Sequence, residues 1–512
     1  MNVHIPIRQP LRSAALLLIS VCALQTQAAP VTQDQQALLV LNRLGYGPKP
    51  GDLERVKQIG IDNYIEQQLH PESIPLPPAL SNRLAALETV NQPTGAVLAE
   101  FLSLRKEAQQ NKDEEGARQQ QRQFVTRLTD QTAEARLARA IDSPRQLEEV
   151  MVDFWYNHFN VFSGKGIDKA LVASYERDAI RPYVLGSFRD LLGATARHPA
   201  MLFYLDNWLS TADNAVARGK NPGKPAGLNE NYARELMELH TLGVDGGYSQ
   251  KDVTELARIF TGWTFNQREL ATRGRGFYFD PKKHDNGDKH WLGRNITAQG
   301  QGEGEAALDI LAMHPATAHH LSYQLAQYFV QDQPPAALVE RLSRRYLETG
   351  GNIREVLRVL FSSREFSAQA GTGSKFKTPY QFIVSAARAG EVQFTNVRPF
   401  INALNQLGMP LYGCQTPDGY KNTQSAWLNP DALTRRITFA NALASGRLPL
   451  NKVDGNTMES TRNVAAPTVL DTNTLLYTLG PAISASTRNT IESSPAGLRS
   501  AMVLGSPDFM QQ

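Results

Sequence analysis

Apolar residues recur with a helical period along most of the chain, and the clearest stretch runs from Asn229 to Phe265, NENYARELMELHTLGVDGGYSQKDVTELARIFTGWTF. At roughly 100° per residue, Tyr232, Ala233, Leu236, Met237, Leu239 and His240 fall on one broad arc. Glu230, Arg234 and Glu238 form an i, i+4 ladder on the other side, with Asn231 and Glu235 beside it. Val253, Leu256, Ala257, Ile259 and Phe260 give a second helix its apolar face. Asn229 is the expected cap of the first helix and Gly243 its left-handed stop. Ser249 with Asp252 has the form of a capping box, and Gly262 closes the second helix.

The same period extends in both directions. Residues 34–72 read as short helices around a GYGPKPGD turn, and helical spacing returns from Leu84 to Ala140. Within it, Lys106 to Arg122 is charged and Gln-rich, which marks a solvated face. Ser143, Pro144 and Gln146 signal a helix start. Leu147, Val150, Met151, Phe154, Trp155, His158 and Phe159 then share one arc, with Glu149, Asp153, Asn157 and Asn160 opposite. A polar stretch, Thr211 to Leu228, precedes the central motif, and another, Asn451 to Pro467, precedes the final helices. From Gln267 to Glu305 the helical spacing lapses. There GFYF and KHWLG flank a turn-forming middle, predicting a small β-hairpin or ordered loop around 275–293. The expected fold is therefore mainly α: a multi-helical globular protein with one β insertion. Its segments are an N-terminal helical region at 29–142, a central core at 143–448 and a C-terminal piece at 449–512, read as one continuous domain from about residue 34.

Composition adds an address. The apolar share of 41% and the charged share of 20% are those of an ordinary globular chain. Arg8 and Arg12, the apolar run Ser13 to Leu24 and the small-residue site Thr26-Gln27-Ala28 make residues 1–28 a cleavable signal peptide. Export to the periplasm or the exterior follows. No later run is long and apolar enough to span a membrane. The formal charge is +3; without Arg8 and Arg12, 51 bases face 50 acids, so no global field recruits nucleic acid or an anionic membrane. Cys414 alone remains after cleavage, which excludes an intramolecular disulfide and suits a small packed residue.

Several groups could carry chemistry. His158 and His240 sit within apolar arcs, where an imidazole is costly unless its nitrogens are bonded. They read either as satisfied core histidines or as converging metal ligands or an acid–base pair. Glu235 and Glu238 read as a surface ion network or as a general base oriented by Arg234. In DPKKHDNGDKHWLG, Asp280, His284, Asp285, Asp288 and His290 form a turn-rich loop or a site for Zn²⁺ or another divalent ion. VDGGYSQKD lacks two oxygen ligands of a calcium loop. No GxSxG, P-loop, HExxH or CxxC is present. Trp155, Trp208, Trp263 and Trp291 read as core aromatics or as a sugar-stacking platform.

The central motif, together with LNRLGYGPKPGD, FWYNHFNVF, HDNGDK, HPATA, KTPYQF, LNPDALTRRITFANALASG and the SPDF end, resembles a bacterial family catalogued as domain of unknown function 1800. The resemblance implies a secreted, mainly helical protein, often encoded beside an exported sulfatase-like protein. It also implies that Asn157, His158, Arg234, Glu235, Glu238, His240, His284, Asp285 and Lys289 lie in the family's motif blocks, and it transfers no activity. Two expectations follow. In one, His158, Arg234, Glu235, Glu238, His240 and Lys289 serve catalysis, with His158, His240, His284 and Asp285 around a divalent metal, in a hydrolase or transferase acting on an extracellular polymer. In the other, the protein is a non-catalytic scaffold or maturation partner of the sulfatase-like protein, and the same residues form core and interface networks.

Overall fold

In the computed structural model, described for residue 1 and residues 31–110, 115–212, 227–297, 299–373, 375–451 and 469–512, helix ends are set by the chain's own caps. Thr32 with Gln35, Ser249 with Asp252, and Thr378 with Gln381 each close a reciprocal capping box. Proline opens helices Pro315–Phe329, Pro379–Ala389 and Pro430–Ala444, where its missing N–H costs nothing. The apolar faces merge into one buried cluster that reaches from Ala37 to Met510. The C-terminal end is tied into this core from mid-chain: Phe376 bridges Gln511, and Lys377 Nζ donates to Phe509 O at 2.7 Å. Among the described residues no helix is long and apolar enough to cross a membrane. The leader and most of the polar stretches at 211–228 and 451–467 lie outside the described residues.

The fold is mainly α with a small β insertion, as the periodicity predicts, but the insertion is wired differently. Phe277–Phe279, the GFYF segment, pairs back onto Trp263–Phe265. Lys289–Trp291 pairs with Arg294–Ile296 in a hairpin of its own. A helix, Gln267–Arg273, also stands where helical spacing lapses, capped by the Asn266 side chain. It is too short for its period to register. Asn229 does bond the first turn expected of it, accepting from Asn231 N–H at 2.9 Å, although the helix itself is Asn231–Glu238. Gln146 does not form the expected box; its amide donates to Ala140 O and Ser143 O and accepts from Tyr46 N–H.

Beneath the surface the polar face of helix Gln146–His158 is not solvated. Asp153 and Glu149 are buried against Arg136, from helix Glu115–Asp142, and against Arg181. Arg136 bonds Asp153 and, at 3.2 Å, Glu176, while Arg181 grips Glu149 with both terminal nitrogens. Tyr412 O–H donates to Glu176 at 2.8 Å. The rings of Tyr156, Tyr380 and Tyr412 surround the Arg136 guanidinium at 5.3, 5.4 and 5.2 Å. Burial lifts the Asp153 carboxyl above its ordinary value against the pull of Arg136. Burial also opposes ionisation of Glu176, but Arg136 and Arg181 outweigh it and hold that group below its ordinary range.

Removing one member of such a buried set strands the rest. Arg136→Met is expected to cost about 3–5 kcal/mol, read as a lowered urea midpoint. A loss under about 1 kcal/mol would show that the network contributes little.

Candidate functional site

The largest concentration of motif residues lines a cleft of about 390 Å³. Its walls are helix Gln146–His158, the end of helix Asn231–Glu238, helix Pro315–Phe329 and the loop at 409–423. That loop has no periodic signal and is held by side chains instead. Asn157 treats Tyr420 as a β-partner would: its Nδ2 donates to Tyr420 O at 2.8 Å, and Tyr420 N–H donates to its Oδ1 at 2.7 Å. One turn on, Asn160 Nδ2 donates to Cys414 O and Thr416 O at 3.0 and 2.8 Å. Gly419 makes the approach feasible, with φ +67° and space so tight that a Cβ would sit 2.3 Å from Asn157 O. Cys414 is buried in this loop as a free thiol.

Three histidines meet at the opposite wall. Where helix Asn231–Glu238 ends, its last carbonyls lose their helical partners. His158 Nε2 donates to His240 O at 3.1 Å and His320 Nε2 to Leu239 O at 3.3 Å. A carbonyl only accepts, so both rings carry hydrogen on Nε2. The His158 and His240 ring centres lie 5.9 Å apart. Gly243, at φ +83°, lets His320 pack against the turn, where a Cβ would lie 2.9 Å from its Nδ1. Burial, aided by the His320 charge, lowers His158 to about 3. Burial holds His240 well below its ordinary value, with His158 and His320 adding to the effect, and lowers His320 as well. The rings are neutral near pH 7, and those of His158 and His320 act as hydrogen-bond donors to backbone.

The cleft's charge comes from carboxylates. Glu238, Asp153 and Asp418 line it, opposed by Lys421, which bonds Asp418 at 2.7 Å. Half-buried Glu235 is raised by burial and by the neighbouring Glu238, with Asp418 adding. Arg234 does not complete the expected ladder. It bonds Glu230 at 3.1 Å and Gln250 at 2.9 Å, fastening its helix to the next one.

His284, Asp285 and Lys289 stand apart from the cleft. His284 Nδ1 donates to Thr261 O at 2.8 Å, and its Nε2 lies 3.3 Å from Glu303. Lys289 Nζ bonds the other Glu303 oxygen at 2.7 Å and also bonds Asp285 O. Arg258 holds the Asp285 carboxylate through two nitrogens at 2.9 and 3.1 Å. His284, Lys289 and Glu303 are buried, so this set is a closed ion network riveting the hairpin to helix Gln301–Ala312. The structure thus brings His158, His240 and Glu238 together and leaves His284, Asp285 and Lys289 in a second cluster. Among the described residues no group of three or more His, Cys, Asp or Glu is placed to hold a metal ion. Asp280 and His290 are spent locally, on Lys282 N–H and Asn295. Trp155, Trp263 and Trp291 are fully buried and Trp208 stacks on Phe203, so all four serve the core.

His320, Asp418 and Tyr420 escape sequence reading. His320 could have been found by its spacing, since His320, Gln324 and Gln327 fall on one face of their helix. Asp418 and Tyr420 belong to a turn whose residues carry no such signal.

Because native His158 stays neutral while an unfolded imidazole takes a proton, its stabilisation is lost as pH falls from 6.5 towards about 3. The effect is on the order of 4 kcal/mol. Urea unfolding at about pH 7 and about pH 4 should show a shallower acid loss in His158→Gln than in the parent. Gly419→Ala should cost at least about 1–3 kcal/mol in thermal unfolding through its strained φ and the clash with Asn157. Gly497→Ala, where a Cβ meets nothing within 4 Å, is the control.

No curated protein and no solved structure matches the chain. A family model described as "Protein of unknown function (DUF1800)" matches residues 39–511. That span takes in every motif of the cleft and of the buried cluster beside it, and the chain belongs to the DUF1800 family.

Proposed function

We propose that this is an exported cell-envelope protein whose cleft binds the sugar chain of an extracellular polymer and cleaves or transfers it. One observation carries the reading: the cleft lining mixes carboxylates, carboxamides, hydroxyls and an aromatic ring, with Gln324 and Asn422 beside the half-buried Tyr420. Such a set offers alternating donors and acceptors to hydroxyl groups and a flat face to sugar rings. Three carboxylates face one lysine and the histidines are neutral, which disfavours sulfated or phosphorylated polymers and favours uncharged or amino-sugar ones.

Glycosidic cleavage needs one protonated and one ionised carboxyl group. Asp153, raised by burial, is assigned as the proton donor to the leaving oxygen, and Glu238 as the second carboxyl of the pair. His158 is a positioning residue that fixes the end of the Glu238 helix. A metal-assisted route would use His158 through Nδ1 while Nε2 keeps its carbonyl, and elemental analysis of the purified protein tests that.

The mature protein is expected to release reducing ends from a neutral polysaccharide such as soluble cellulose or chitin derivatives. Glu238→Gln should lower that rate by about 10²-fold or more while polysaccharide retention is kept. Retention without turnover in the parent protein would favour a non-catalytic partner of a co-exported enzyme. Neither retention nor turnover would overturn the proposal.

A further inference from the structure

The cleft does not end at its own rim. Gln327 and Thr423 line it and also line a second hollow of about 580 Å³ on the same side of helix Pro315–Phe329. The two hollows adjoin at these residues and are taken together as a groove. Tyr323 and Leu428 wall the outer hollow, and each is unusually open for its type, at 38% and 42% exposed. Tyr323 stands one turn before Gln327 on their helix, so the wall that lines the cleft continues outwards.

The passage between the hollows is rigid. Asp332 accepts from Lys375 Nζ at 2.6 Å and from Gln424 N–H at 2.7 Å. Lys375 Nζ also donates to Asn422 O at 2.8 Å, and Trp427 Nε1 donates to Lys421 O at 2.6 Å. The segment 421–427 is thus pinned before any ligand arrives, which lowers the ordering cost of binding.

Charge selects the occupant. Among the described residues the outer hollow has no cationic side chain in its lining, and Asp332, the one carboxylate among them, is neutralised by Lys375. An anionic polymer finds no counter-charge there. An extended peptide would seek an open strand edge, and helix and coil form these walls. A row of carboxamides and hydroxyls ending in an exposed aromatic ring fits a linear uncharged glycan.

Resting on the sugar-chain reading of the cleft, we propose that such a glycan lies along the whole groove, with Tyr323 as a remote stacking subsite. The protein then acts within a polymer chain and not at a terminus confined to the cleft. The side chain that sets preference for length is Tyr323, which touches no group of the acid pair.

Calorimetric titration of the mature protein with cellobiose and cellohexaose, chitobiose and chitohexaose tests this. The hexasaccharide of the preferred series should bind about 10-fold tighter than its disaccharide. Tyr323→Ala should remove that advantage and leave disaccharide affinity unchanged. Equal affinities for short and long ligands, or an unaltered hexasaccharide affinity in Tyr323→Ala, would overturn the extended groove while the cleft reading stood. Absence of binding by every oligosaccharide would overturn both. Tighter binding of an uncharged extended peptide than of either hexasaccharide would assign the groove to polypeptide and overturn the glycan.

Discussion

A single guanidinium holds the functional half of this protein together. Arg136 meets Asp153 on the His158 helix, Glu176 on the following turn, and the rings of Tyr380 and Tyr412 from far later in the chain. Desolvating that cation is tolerable only because two carboxylates and three aromatic faces replace water around it. In return it fixes the distance between helix Gln146–His158 and the loop at 409–423. Those two segments form two of the cleft's four walls. The cleft's shape is therefore a consequence of a buried charge arrangement more than of apolar packing.

A second constraint operates at the facing wall. Helix Asn231–Glu238 stops after only two turns, and its terminal carbonyls are received by His158 and His320. Those imidazoles do for a helix end what a cap residue usually does, from other helices. Such a role demands a neutral ring with a fixed hydrogen, which burial enforces. It also explains why a histidine belongs on an apolar arc: the arc packs, and one nitrogen answers a backbone oxygen. The histidines that first suggest proton transfer are thus positioned to hold geometry, and carboxylates are left as the groups facing the solvent side.

The legibility of all this in the sequence varies with range. Helix positions and the Ser249–Asp252 box depend on neighbours three or four residues apart, and periodicity displays them. The burial of His158 and His240 is equally plain, because each interrupts an apolar arc. Glu149 and Asp153 mislead for the same local reason: they occupy the polar side of a helix, and nothing nearby announces that Arg136 and Arg181 will cover them. His284 and Lys289 mislead by density. Ligand types crowded within a few residues suggest a shared centre, yet Glu303 draws the buried pair away from the cleft. The loop at 409–423 is the least legible. Its conformation is specified by Asn157, 263 residues earlier than Tyr420.

That long-range wiring also ties stability to chemistry at one point. Asp153 faces Arg136 on one side and the cleft on the other, so it cannot be altered without disturbing the buried charge set. A proton placed on it weakens its hold on Arg136, and Glu176 must then carry more of that cation. Its raised protonation tendency and its structural duty are two faces of the same desolvation. Glu238 has no such double duty, since it lies beyond the network at the end of its helix. Loss of function on altering Asp153 would therefore be ambiguous between fold and chemistry, whereas Glu238 separates them. The asymmetry follows from depth: the acid nearer the core inherits the fold's electrostatics, and the acid nearer solvent is largely spared them.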